Sequence, residues 1–229
     1  MSGNEHVGHR ARMKQRYLAQ GLDGFSDHEA LELLLYFAIP RADVNTAAHH
    51  LMDRFGSFHA VLDASVEEIK EAEGIGENSA LLLRLVKDMN RRYLLDRQSD
   101  VKKPKLAGAE EAGRFFLPYF YGIMEERVYA AFLDDDLQLL NCRLLTEGDL
   151  NAAQMNVRKL VELALREKAT GIIVAHNHPA GQAVPSLEDR EATLKLRDAL
   201  AAVQIRLLDH IIVRGMEYAS MKECGHLGR

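Results

Sequence analysis

The segment that most constrains this chain is Gly171-Ile172-Ile173-Val174-Ala175, which runs straight into His176-Asn177-His178-Pro179. A short, fully apolar, β-branched run is the pattern of a strand buried within a sheet. The sheet then delivers histidines at the strand's end. On an extended backbone, positions i and i+2 point the same way, so His176 and His178 can converge on one ion. Pro179 ends the strand and bars an immediate helix. After a loop, Ser186 caps the next helix, expected over 185–203, and Asp189 falls in its first turn, where a carboxylate is favoured.

Each of these residues alone has an ordinary reading. Two histidines at i, i+2 are more often solvent-facing than ligating, and Ser186 is simply a cap. Together they form two imidazoles and a carboxylate, the donor set of an open catalytic zinc site with water as fourth ligand. Zinc lowers the pKa of a bound water to about 7, which generates a nucleophile at neutral pH.

The rest of the chain divides into a helical part and a mixed part. Asp27 to Phe37 reads as a helix that stops before Pro40, and Thr46 to Phe55 as one closed by Gly56. Ser65 and Glu68 make a capping box. A further helix is expected from Asn78 to Leu95, followed by the polar, proline-containing stretch Arg97 to Lys105. The domains are therefore placed at 1–97 (helical), 98–108 (linker) and 109–229 (zinc domain). Beyond the linker, Val128–Leu133 and Leu137–Leu145 read as a hairpin around Asp134-Asp135-Asp136. Asn151 to Lys168 reads as an amphipathic helix, and Ile205 to Val213 as a final strand. This order indicates an α/β sheet domain.

Composition narrows the function classes. No run of about 18 apolar residues is present to span a membrane, and the polar N-terminus lacks the apolar core of a signal peptide. Cys142 and Cys224 are isolated, so neither a disulfide framework nor a Cys-type zinc cluster is expected, and a reduced cytoplasmic setting follows. A net charge of −5 gives no global pull toward nucleic acid or anionic lipid.

His-x-His-Pro, six residues, then Ser-x-x-Asp is the JAB/MPN metalloprotease (JAMM) signature, and HNHPAGQAVPSLED resembles its version in the bacterial RadC family, also called UPF0758. The segments from Thr146 to Asn151 and from Leu208 to Val213, together with HRARMKQRYL and GIG near the N-terminus, are similar to RadC segments as well. The resemblance implies an α/β fold: a JAB/MPN-type, cytidine-deaminase-like mixed sheet flanked by helices, preceded by a small all-α helix-hairpin-helix domain. It implies a zinc cofactor held by His176, His178 and Asp189, and a Ser186 that helps hold the reacting carbonyl or its oxyanion. It also implies an upstream glutamate as general base, for which Glu126 is the best match and Glu125 the neighbour able to replace it. Asp209 and His210 are candidates to orient a ligand, with a turn pair at a sheet edge as the plainer reading. RadC proteins commonly carry Arg-Glu entering the helix before the zinc strand, whereas this chain has Arg158-Lys159.

Within the helical part, Ser65 to Leu85 resembles a helix-hairpin-helix whose Gly74 and Gly76 would offer backbone amides to a DNA phosphate. Local charge opposes this. Residues 1–100 hold twelve Lys and Arg against sixteen Asp and Glu, and Glu71, Glu73 and Glu77 surround the hairpin. The basic run His9 to Arg16 is more often a helix's solvated face. The expected function is zinc-dependent hydrolysis of peptide or isopeptide bonds in a peptide or protein substrate. The alternative is a DNA-repair or DNA-processing accessory protein, or a zinc nuclease.

Overall fold

The computed structural model describes residues 3–40, 42–100, 103–147 and 157–227. The chain forms two compact units, one up to Asn90 and one from Arg91 onward.

The first unit is all helical: α1 (Gly3–Gln20), α2 (Asp27–Ala38), α3 (Asn45–Phe55), α4 (Phe58–Asp63), α5 (Val66–Lys70) and the first part of α6 (Glu77–Ser99). Local sequence accounts for the helix ends. Ser26 with Glu29 caps α2, and Ser65 with Glu68 caps α5, each pair satisfying amides that the first turn leaves unpaired. Gly56 closes α3 at φ 79°, a left-handed conformation that glycine adopts without a Cβ penalty. Leu31, Leu35, Val44, Leu51, Val61, Ile69 and Leu83 are fully buried and form the core. Two arginines of the basic run are engaged within this unit. Arg10 donates to the carbonyls of Ile39 and Pro40 just beyond α2, and Arg16 pairs with Glu29 at 2.7 Å.

The second unit is a five-stranded mixed sheet between helices. After the end of α6 come α7 (Ala109–Phe120), β1 (Arg127–Leu133), β2 (Leu139–Glu147), α8 (Val157–Arg166), β3 (Gly171–Asn177), α9 (Leu187–Ala201), β4 (Arg206–Arg214) and β5 (Glu217–Ser220). The strand order is β2-β1-β3-β4-β5, with only the β3–β4 pair parallel. That pair is joined through α9, as a parallel pair requires. β3 is buried along its whole length, as its sequence predicts. Val128, Ala130, Phe132, Ile172 and Val174 pack with Leu160 of α8 and with Leu196 and Leu200 of α9. Tyr129, Ala131, Ile173, Ala175, Ile211 and Val213 pack with Phe115, Phe116 and Phe120 of α7 on the other face.

The β1–β2 hairpin forms as expected, its turn held by Asp134, whose Oδ1 accepts from the amides of Asp136 and Gln138. Two details differ from the sequence reading. Helix α7 was not expected, because Gly113 and Pro118 lie inside it and interrupt the pattern. The final strand is β5 rather than β4, since Gly215 at φ 59° turns the chain back on itself. The helix expected from Asn151 is described as α8 from Val157; residues 148–156, including part of the Thr146–Asn151 segment, lie outside the described residues.

Candidate metal centre

His176 sits near the end of β3 with no exposed surface, on the face that packs against α8 and α9. His178 follows it, its amide still bonded to the Val213 carbonyl at 2.9 Å, so the backbone remains extended and both rings project to one side. Ser186 caps α9 as predicted. Its hydroxyl accepts from the Asp189 amide at 3.0 Å, and its own amide donates to Asp189 Oδ2 at 2.9 Å. This capping box turns the Asp189 carboxylate back toward the strand end.

The three side chains meet. Their ligand atoms all lie within 4.8 Å of one another, the single such group among the described residues. His176 Nε2 and His178 Nε2 are 2.9 Å apart; Asp189 Oδ1 lies 3.2 Å from His176 Nε2, and Asp189 Oδ2 lies 3.3 Å from His178 Nε2. A tetrahedral zinc with bonds of about 2.0–2.1 Å has ligand-to-ligand edges of about 3.3–3.4 Å. The two imidazole-to-carboxylate distances are near that spacing, each through a different Asp189 oxygen, and the distance between the imidazole nitrogens is shorter. Two nitrogen donors and one oxygen donor suit zinc, so the residues present fit the metal that the signature implies.

The electrostatics agree with a cation site. Burial works to raise the Asp189 carboxyl, but the adjacent imidazoles of His176 and His178, together with the Ser186 amide, overcome it and hold the group well below the usual carboxylate range. The Asp189 hydrogen bond raises His178 against the opposing effect of burial, with smaller contributions from the Gln182 carbonyl and from Glu126. The persistent Asp189 carboxylate beside two imidazoles is a field that favours a cation.

Of the two candidate bases, Glu126 is half-buried and close enough for its charge to act on His178. Glu125 turns outward, two-thirds exposed, with Arg127 3.9 Å away. Asn177 holds this turn in place. It is buried on the opposite face of β3 from His176, accepts from the Arg127 amide at 2.8 Å and donates to the Glu125 carbonyl at 2.9 Å. The sequence reading passed over it, although a side chain between two ligands on a strand must face the other way.

The remaining candidates fall into different places. His210 joins the site, its Nε2 2.8 Å from His176 Nδ1, and complete burial together with the charge of His176 pushes its pKa well below the ordinary histidine value. Asp209, adjacent in sequence, points to the other face. Its carboxylate binds the Ser220 hydroxyl and the amides of His210 and Lys222, and burial raises its pKa despite these bonds. It pins β5 and the following turn to β4 and does not reach the rings of His176 or His178. Ser186, expected to help hold the reacting carbonyl or its oxyanion, directs its hydroxyl proton to Asp189 Oδ2 at 2.7 Å. Lys159 donates to the Leu145 carbonyl on β2 at 2.9 Å. In the helical unit, Gly74 takes φ 84° between α5 and α6, and Gly76 is exposed alongside the exposed Glu71, Glu73 and Glu77. No helix among the described residues is long and apolar enough to cross a membrane.

Comparison with known proteins adds the lineage. The family model described as the RadC-like JAB domain matches residues 106–226. A UPF0758 protein of Burkholderia mallei (strain SAVP1) is 36% identical over 213 residues, covering 93% of this chain and 76% of that protein. UPF0758 proteins of Bordetella parapertussis (35% over 214 residues) and Vibrio cholerae (34% over 212 residues) each align with 93% of this chain and 94% of their own length. The signature on β3 and α9, the mixed sheet that presents it and a match over nearly the whole length agree: this chain belongs to the RadC (UPF0758) family of JAB-domain proteins.

Proposed function

We propose that this chain is a zinc-dependent hydrolase of peptide or isopeptide bonds. The observation that carries the reading is the convergence of His176, His178 and Asp189, a donor set that suits zinc, with their ligand atoms within 4.8 Å of one another and Glu126 near His178. His176, His178 and Asp189 would hold the metal. When bound, zinc supplies Lewis acidity, lowering the pKa of water to about 7 and polarising a carbonyl.

The remaining work falls to the chain's own side chains. Glu126 receives the proton of the attacking water on its carboxylate and returns it to the nitrogen of the departing amine. Asn177 fixes the backbone on both sides of Glu126, so the carboxylate is aimed before substrate arrives. Ser186 fixes Asp189.

Elemental analysis of the purified protein tests the metal, and the Glu126→Gln variant tests the base. About one zinc per wild-type chain, lost in His178→Ala, is the expected result. Glu126→Gln should keep the zinc and lose about 10²–10⁴-fold of the rate on a peptide and isopeptide panel. Absence of zinc from the wild type would overturn the reading, and full activity in Glu126→Gln would remove Glu126 from its role.

A further inference from the structure

We propose that Thr193 acts as a positioning residue for the metal site, setting the tautomer of His176 through His210 so that the His176 Nε2 lone pair faces the metal. The inference rests on the zinc reading above and adds a residue that the signature does not contain.

Thr193 lies one turn beyond Asp189 on α9 and is fully buried. Its Oγ1 is 2.5 Å from the Asp189 backbone carbonyl. A carbonyl oxygen only accepts, so a contact this short places the hydroxyl proton between them. The same Oγ1 is 2.6 Å from His210 Nδ1. With its proton already committed, the hydroxyl oxygen accepts there, and His210 Nδ1 carries the hydrogen. A neutral imidazole has one ring hydrogen, so His210 Nε2 is a bare lone pair. That nitrogen is 2.8 Å from His176 Nδ1, which therefore donates. His176 is left with a bare Nε2, directed at His178 and Asp189. Each step follows from the one before, and the direction of the whole chain is set at the hydroxyl.

The two histidine ligands are thus fixed by different means. His178 Nδ1 donates to the Gln182 backbone carbonyl at 3.0 Å, an acceptor that no side-chain substitution removes. His176 depends on two side chains in series. Without the Thr193 hydroxyl, His210 Nδ1 loses its acceptor. The favoured arrangement then reverses: His210 donates from Nε2, His176 accepts at Nδ1, and the His176 hydrogen moves to Nε2, where it blocks the metal. Ligating imidazoles generally depend on such partners, and losing one costs about 10–100-fold in metal affinity.

The test compares wild type, Thr193→Val and Thr193→Ser. Valine matches threonine in shape without the hydroxyl, and serine restores it. Nitrogen-15 imidazole NMR of the metal-free protein, at a pH where His176 is neutral, should show its Nδ1–H form in wild type and Thr193→Ser and its Nε2–H form in Thr193→Val. Chelator competition should show zinc affinity about 10–100-fold weaker in Thr193→Val and within about threefold of wild type in Thr193→Ser. Thermal unfolding of the metal-free proteins separates this from a folding defect, because a merely structural role would lower stability without moving the tautomer. Wild-type tautomer and affinity in a folded Thr193→Val overturn the relay while leaving the zinc reading intact. A wild type that binds no zinc overturns that reading, and the NMR arm still decides the tautomer.

Discussion

Asn177 straddles Glu126: its side-chain amide binds the backbone on either side, accepting from the Arg127 amide at 2.8 Å and donating to the Glu125 carbonyl at 2.9 Å. Strand alternation makes this possible. His176 serves one face of β3 while Asn177, next in the chain, reaches the turn that enters β1 from the other. Three consecutive residues therefore contribute two candidate ligands and the clamp on the candidate base.

The Asn177→Asp variant keeps an acceptor for the Arg127 amide but sets a carboxylate oxygen against the Glu125 carbonyl. Hydrolysis should fall by about 10²-fold, a loss expected when a catalytic group is misplaced by about 1 Å, with zinc content unchanged. Asn177→Ala leaves two backbone groups unpaired and should cost about 1–3 kcal/mol of stability. Parallel rate, zinc and urea-unfolding measurements check both, and an Asn177→Asp enzyme of wild-type rate would show that the clamp does not aim Glu126.

Metal should stabilise the fold through the same three ligands. At a free zinc concentration of about 100 times the dissociation constant, a ligand bound only by the native state adds about 2.7 kcal/mol. Wild type should gain this in denaturant titrations and lose it on chelation, whereas Asp189→Ala should gain nothing. Equal stabilisation of Asp189→Ala would place the zinc elsewhere.

Gly113 on α7 is required by packing. A Cβ there would lie 2.3–2.5 Å from ring atoms of Tyr218 on β5, well inside van der Waals contact. Gly113→Ala should destabilise by about 1–3 kcal/mol through overpacking. Adding Tyr218→Ala should recover part of that loss, so the double mutant will be more stable than the sum of its parts. Strict additivity in a thermal-unfolding cycle would show that the two positions do not press on one another.

The helical unit carries a pH dependence of its own. The Arg16 hydrogen bond, aided by the Ser26 amide, lowers the Glu29 carboxyl from 4.5 to about 2. The unfolded chain therefore takes up this proton at a higher pH than the folded chain does. The contribution is fully present above about 4.5 and is lost as pH falls through about 2. Glu29→Gln should flatten this part of the acid-unfolding profile, and at neutral pH it should lose about 1 kcal/mol with the weakened cap. An unchanged profile between those pH values would remove Glu29 as its source.

Much of the candidate site was legible because its signals are local. The β-branched run set β3, the i, i+2 spacing put His176 and His178 on one side, and Ser186 fixed the start of α9 and with it Asp189. The caps at Ser65 and Gly56 were readable for the same reason: a cap is decided by the conformations of a few adjacent residues.

Other features depended on partners distant in sequence. Strand alternation alone does not say whether Asp209 or His210 faces the site, because that depends on the register of β4 against β3. A one-residue shift between Ile172 and Ile173 sets Ile173 opposite Asp209 and Val174 opposite His210, which puts His210 on the face of His176 and Asp209 on the face of α7. The bond from Asn177 to the backbone around Glu126 spans about fifty residues of chain, and that from Thr193 to His210 spans seventeen. By itself the sequence determined which residues are candidate ligands, since spacing along one strand and one helix turn is short-range geometry. Only the tertiary structure decided how those ligands are oriented and which of Glu125 and Glu126 is the more buried, because register and packing bring together groups that no local pattern connects.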